Sequence, residues 1–238
     1  MTCAHQRARQ NRLGRFETAT QAAAAGGITT IIDMPLNASP VTTTVNAFNQ
    51  KLDATKNKLH INVGFYGGLV PGNINDLEAL IKSGVLGIKC FLTHSGIDEF
   101  PNVGEKELNQ AMPLIAKHNI PLLAHCEIES EVTCDFSKFP NNYQQYLASR
   151  PKSWENDAVD LMIKLCRKFN CSTHIVHVSS AEALEKITKA KKKVYNSPPK
   201  PVRITFFLMQ KIFLMQIACT NVRRPSVKKK ITFYYNKH

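Results

Sequence analysis

A chain of 238 residues with 43% hydrophobic content has room for one barrel-sized domain or two small ones around an apolar core. Its net charge of +13 would suit a polyanion binder, yet residues 1–188 hold 18 basic and 18 acidic side chains, while residues 189–238 hold 13 basic and no acidic ones. The basicity belongs to the tail, so the body of the chain has no charge-based reason to bind nucleic acid.

From residue 16 onward, short β-rich apolar runs alternate with longer helical patterns. An alanine-rich helix over 16–25 stops at Gly26 and Gly27, and residues 28–34 read as a strand. A helix over 45–54, a strand over 60–66 ending in Gly67 and Gly68, a helix over 76–82 closed by Gly84 and the apolar run 85–92 follow. Residues 105–117 form an amphipathic helix that leads into the run 120–127. An interruption with Pro140 and Pro151 precedes a helix over 154–168, the run 172–179 and a helix over 181–190. Strand centres recur about every 30 residues, the length of a strand plus its crossover helix. Such a pattern predicts a parallel sheet covered by helices, hence a (β/α) barrel or a doubly wound sheet.

Three of the apolar runs each deliver one side chain suited to a metal site: Lys89 in Val-Leu-Gly-Ile-Lys-Cys-Phe-Leu, His125 in Ile-Pro-Leu-Leu-Ala-His-Cys-Glu, and His177 in Ser-Thr-His-Ile-Val-His-Val-Ser. All three sit near the C-terminal ends of strands, where barrel active sites are built, and no Gly-x-Gly-x-x-Gly loop marks a dinucleotide site; both facts favour the barrel. A lysine inside a buried strand is costly unless its charge is paired or removed. Reaction with CO2 would convert it to an anionic carbamate, which is a metal ligand. On a regular strand His174 and His177 point to opposite faces, so only one is expected to reach the interior, and His177 is the candidate. A carbamate with two neutral imidazoles makes an N/O site suited to zinc, with open positions for water, and hydrolysis is the reaction class it implies.

Each residue also has a plainer reading. A strand-borne histidine is more often a hydrogen-bonded core residue, and Lys89 could snorkel to solvent. Glu127 either orients a ligand or is an ordinary helix-start acid. Asp33 and Asn37 either shape a substrate loop or make a turn around Pro35. Trp154 and Glu155 read as helix-start packing. The seven cysteines, at 3, 90, 126, 134, 166, 171 and 219, include no Cys-x-x-Cys pair and read as reduced packing residues. The first twelve residues lack an apolar signal segment, so the cytoplasm is the expected compartment.

The tail departs from the pattern. Residues 204–220 are largely apolar with basic flanks, but they fall short of the ~20 residues of a membrane span and contain Gln210, Lys211 and Gln216. A nucleic-acid arm is a further alternative, but a non-homologous C-terminus over 191–238 is the reading preferred here.

Several runs carry a resemblance: Ala-Ala-Ala-Ala-Gly-Gly-Ile-Thr-Thr-Ile-Ile-Asp-Met-Pro-Leu-Asn (22–37), Gly-Phe-Tyr-Gly-Gly-Leu-Val-Pro-Gly-Asn (64–73), Gly-Ile-Lys-Cys-Phe-Leu (87–92), Leu-Leu-Ala-His-Cys-Glu (122–127), Ser-Arg-Pro-Lys-Ser-Trp-Glu (149–155) and His-Ile-Val-His-Val-Ser-Ser-Ala-Glu (174–182). Over residues 15 to about 190 the chain resembles the allantoinases of the cyclic amidohydrolase superfamily, relatives of dihydroorotases and dihydropyrimidinases. The resemblance implies a metal-dependent (β/α)8 barrel that opens the hydantoin ring of allantoin to allantoate in purine breakdown. It further implies a carboxylated Lys89 bridging two zinc ions and His125 and His177 on one of them, in a homo-oligomer if intact; no nucleic-acid partner and no membrane span are expected. Asn37 and His94 are the substrate contacts expected from loop position.

The departures are equally specific. The family's His-x-His pair should precede Gly14 and Arg15, but only His5 is there, followed by Gln6 and Arg7. The family's last ligand, an aspartate that doubles as general base, would fall beyond the matching region. The expectation is therefore a partial TIM-type barrel lacking its first and last strands, divided into an unmatched segment 1–14, a barrel fragment 15–190 and the tail 191–238. At most one zinc is supported and no residue is assigned as catalytic base. A non-catalytic scaffold of the same fold, or another cyclic amidohydrolase, stands as the alternative function.

Overall fold

The computed structural model describes residues 2–3, 16–130, 143–192 and 204–208. A short strand, Thr2–Cys3 (β1), is followed by the helix Phe16–Ala25 (α1), the strand Thr30–Asp33 (β2) and the helix Val45–Thr55 (α2). Thr44 caps α2, its hydroxyl accepting from the Ala47 N–H at 3.2 Å, which satisfies one of the helix's orphan donors. Then come Asn62–Phe65 (β3), Gly67–Gly68 (β4), Ile74–Lys82 (α3), Ile88–Phe91 (β5), Glu105–Lys117 (α4) and Leu122–His125 (β6). The remaining elements are Tyr143–Ala148 (α5), Lys152–Phe169 (α6), Thr173–Val178 (β7), Ala181–Lys192 (α7) and Ile204–Leu208 (β8).

All strand pairings are parallel: one sheet runs β1-β2-β3 and the other β4-β5-β6-β7-β8. The two are one array. Only Tyr66 separates β3 from β4; its N–H donates back to Asp33 O (2.9 Å), while the Gly67 N–H donates forward to Gly87 O (3.0 Å). One extended segment thus hands the ladder from β2 to β5. Glycine is required there because a Cβ on Gly68 would lie 2.5 Å from the Phe100 ring.

Burial separates the two faces. Ile88, Cys90, Leu122, Ala124, Ile175 and Val178 point out and pack with Leu77, Leu80, Leu108, Met112, Met162 and Leu165 of the surrounding helices. The alternate positions on β5 and β6, Lys89, Phe91, Leu123 and His125, turn inward. A second apolar cluster, Leu36, Val41, Phe91, Ile97 and Phe100, closes over that inner face from the loops leaving β2 and β5.

The partial α/β barrel is thus present, with two additions at its edges. Thr2–Cys3 lies parallel to β2, and Ile204–Leu208, within the stretch read as a tail, lies parallel to β7. Among the described residues no strand joins β8 to β1, so the array stays open. His5, Gly14, Arg15 and the tail beyond residue 208 lie outside the described residues. So do Cys134 and Pro140, while α5 occupies part of the expected interruption.

Cys90, Cys126, Cys166 and Cys171 are buried thiols, in keeping with packing roles. Burial pushes the Cys90 thiol up to about 11 and the Cys171 thiol, crowded also by Cys166 and Cys90, up to about 12. Because the thiolate is the reactive form, native alkylation at pH 8 is expected to leave all four essentially unlabelled, and urea to expose them. Peptide-resolved mass spectrometry checks this; rapid native labelling of Cys90 would contradict the packing.

Candidate metal centre

Two histidines meet at the C-terminal end of the inner face. His125 closes β6 and His177 lies near the end of β7, and their Nδ1 and Nε2 atoms are 3.0 Å apart, with ring centroids at 4.6 Å. The far nitrogen of His125, Nε2, lies 3.1 Å from Glu127 Oε2, and Glu127 Oε1 accepts from Arg150 Nη1 at 3.0 Å. A carboxylate on Nε2 makes that nitrogen the N–H tautomer, which leaves Nδ1 as the lone-pair nitrogen facing His177.

His177 reaches this position through a broken strand. The outward packing of both Ile175 and Val178 means that two residues between them, not one, turn inward. The ladder with β8 shifts register at this point, and His177 adopts φ of 42°, a left-handed conformation that costs a non-glycine residue about 1–3 kcal/mol. The expectation that His174 and His177 face opposite ways is corrected accordingly. His174 pairs in register with Leu123 and so shares the inner face, where Nδ1 lies 2.6 Å from Thr205 Oγ1, and burial holds its imidazole below the ordinary histidine range.

Lys89 lies on the same inner face, in register with Leu123, one layer below the Phe91–His125 pair. It is 3% exposed; its Nζ donates to Cys90 O at 2.6 Å and sits 3.6 Å from the centre of the Phe91 ring. Phe91 in turn stacks on His125, centroids 4.8 Å apart and planes at 21°. The three sequence-predicted side chains are therefore brought to one side of the sheet, linked through Phe91.

Asn37 and His94 lie on the loops leaving β2 and β5, both exposed. Asn37 has φ of 58°, suiting a turn after Pro35. Within its own loop His94 accepts from the Gly96 N–H at 3.2 Å and lies 3.5 Å from Asp98. Asp33 is wholly buried and ion-paired to Lys51 at 2.8 Å, which places it in the framework. Thr93 donates to Glu129, tying the loop after β5 to the loop after β6. The contacts of Arg150, and of Glu155 with Ser179, were not anticipated, although both lie in the quoted run Ser-Arg-Pro-Lys-Ser-Trp-Glu.

The donor set can be tested against a cation. Two nitrogens each about 2.0–2.1 Å from one tetrahedral zinc stand roughly 3.3 Å apart, close to the 3.0 Å seen between Nδ1 and Nε2. The imidazole pair fits. Lysine as an ammonium is a donor and repels a cation, so Lys89 fits only once carboxylated. Among the described residues no group of three or more His, Cys, Asp or Glu side chains comes together to hold a metal ion.

Residues 13–221 match the amidohydrolase family along most of the chain. This chain belongs to the amidohydrolase family. Family members are generally metal-dependent. The chain is 45% identical over 176 residues to the mitochondrial allantoinase of Aquarana catesbeiana, covering 74% of this chain and 36% of that one. It is 42% identical over 181 residues to the allantoinase of Saccharomyces cerevisiae, covering 74% and 39% respectively. The L-hydantoinase (dihydropyrimidinase) from Arthrobacter aurescens superposes with a TM-score of 0.73 at 30% identity, covering 84% of this chain and 44% of that one. This amidohydrolase chain thus spans less than two fifths of the length of these curated relatives. Among its described residues no helix is long and apolar enough to cross a membrane.

Proposed function

We propose that this chain is a cyclic amidohydrolase of the allantoinase type, in which His125 Nδ1, His177 Nε2 and a carboxylated Lys89 hold a zinc ion. The observation that carries the reading is the 3.0 Å approach of the two imidazole nitrogens, with Glu127 on the opposite nitrogen of His125. Identity of 42–45% to proteins named allantoinase supports the choice of hydantoin-ring substrate. Residues 15–190 are the barrel fragment, with Ile204–Leu208 as a further strand on its edge. The reduced, buried cysteines support a cytoplasmic setting.

Lys89 joins the site by a balanced step. Its neutral Nζ attacks the carbon of CO2, an N–C bond forms, and the displaced proton leaves to water, giving an anionic –NH–COO⁻. A bound divalent cation supplies Lewis acidity and an acidified water for attack on an amide carbonyl. The chain's own residues do the rest of what is assigned here. Glu127 accepts the His125 N–H and fixes the ring's tautomer; Phe91, Ile97 and Phe100 wall the site from water; Asn37 and His94 contact the substrate from the loops above. No residue of this chain is assigned the general-base role in opening allantoin to allantoate.

The test loads the purified chain with zinc in bicarbonate, dialyses it, and measures zinc per chain together with ring opening of allantoin, hydantoin and dihydrouracil. Retention of about one zinc per chain is expected, with allantoin opened far more slowly than by the yeast relative. Loss of all zinc on dialysis would sink the metal site; turnover of allantoin as fast as by the yeast relative would show that this chain supplies a general base; preference for dihydrouracil would move the substrate to the dihydropyrimidinase class.

A further inference from the structure

The segment that opens α6 grips both strand exits at the imidazole pair. On the β6 side, Arg150 donates to Glu127 (3.0 Å), the Ile128 N–H donates to Trp154 O (3.0 Å), and Trp154 Nε1 donates to Ser130 Oγ (2.9 Å). On the β7 side, Glu155 Oε1 accepts the Ser179 N–H at 2.8 Å and Oε2 accepts the Ser179 hydroxyl at 2.5 Å. Ser179 follows His177 by two residues, just beyond the strand end.

A left-handed backbone at a non-glycine persists only where its surroundings over-determine it. The β7–β8 ladder shifts register across this turn and resumes at Val178, opposite Leu208, so it holds the main chain on either side of His177 without fixing the turn itself. Immediately beyond Val178 the main chain is held by the pair of bonds to Glu155, a carboxylate only 7% exposed, and charge-assisted bonds of this kind are strong and directional. We infer that Glu155 is a positioning residue for the cation site: through Ser179 it anchors the main chain beyond His177 and thereby aims the ring at His125. Glu127 holds His125 directly, so each imidazole has its own carboxylate. The inference rests on His177 being a cation ligand, as proposed above.

Cobalt(II) and zinc titrations of the full 238-residue chain test it, with the visible cobalt spectrum reporting ligand geometry. Glu155→Ala is expected to weaken cation binding roughly 10–100-fold and to alter the spectrum, as loss of an outer-shell partner does. Glu155→Gln, which can accept the Ser179 N–H and donate to its hydroxyl, is expected to restore both close to the parent. Leu80→Ala, a core deletion on α3, which carries none of the residues that bond to the pair, should lower stability while leaving the spectrum unchanged, which separates positioning from general destabilisation. If Glu155→Ala does not fold, Ser179→Ala, which keeps the N–H bond and loses the hydroxyl bond, is expected to weaken binding by a smaller factor. Parent-like binding and spectrum in folded Glu155→Ala, or in Ser179→Ala where only that variant folds, overturns the inference and leaves the site reading intact. A parent chain that binds neither metal overturns the site reading, and this inference with it.

Discussion

Alanine at His125 or His177 is expected to abolish retention of zinc, with a loss of affinity beyond the roughly 10–100-fold that follows removal of an outer-shell partner. The two nitrogens face each other at 3.0 Å, so deleting either leaves one imidazole and the carbamate, too few protein ligands to hold a divalent cation against dialysis. Lys89 gives the sharper chemical test. Lys89→Ala should lose zinc to a similar degree, Lys89→Arg should not rescue it because a guanidinium stays cationic, and Lys89→Glu should rescue it in part by returning an anionic oxygen to the same strand position. Metal analysis after dialysis, with and without bicarbonate, reads each outcome. Zinc retained by Lys89→Arg would show that an uncarboxylated side chain, placed against Cys90 O and the Phe91 ring, is the working state, and the carbamate would be discarded.

Breaking the buried pair at the end of β2 is expected to cost more stability than any surface substitution. Lys51 Nζ lies 2.8 Å from Asp33 Oδ2 and 3.0 Å from Met34 O, and both partners are almost fully shielded from water. Lys51→Met removes the paired cation from a carboxylate with 0% exposure, for an expected loss of about 3–5 kcal/mol. The double variant with Asp33→Asn should recover part of it, since the stranded charge is then gone. Urea unfolding measures both. A loss near zero in the single variant would mean that the carboxylate finds another partner, and the pair would cease to be the anchor of the loop that carries Leu36 and Val41 over the inner face.

Much of the architecture follows from local pattern. The helices Phe16–Ala25 and Glu105–Lys117 coincide with their predicted limits because glycine stops the first and an amphipathic stripe defines the second. The apolar runs around Lys89 and His125 fold as predicted, since a strand buried on both faces is apolar throughout except where chemistry intrudes. Thr2–Cys3 and Ile204–Leu208 were not legible: a strand of two residues, or one set in a basic tail, is stabilised by its neighbour's ladder and not by its own composition.

By itself the sequence determined the repeating strand–helix order, the position of Lys89, His125 and His177 near the C-terminal ends of their strands, and the membership in a metal-using hydrolase superfamily that those motifs imply. Only the tertiary structure decided which nitrogen of His125 is left to face His177, because Glu127 and Arg150 take the other side of the ring. It also decided that His174 and His177 share a face, since the left-handed turn at His177 cancels the strict alternation that sequence spacing assumes. Spacing along a chain is set by local covalent geometry, whereas the direction of a side chain at an irregular strand end is set by contacts from residues far away in sequence.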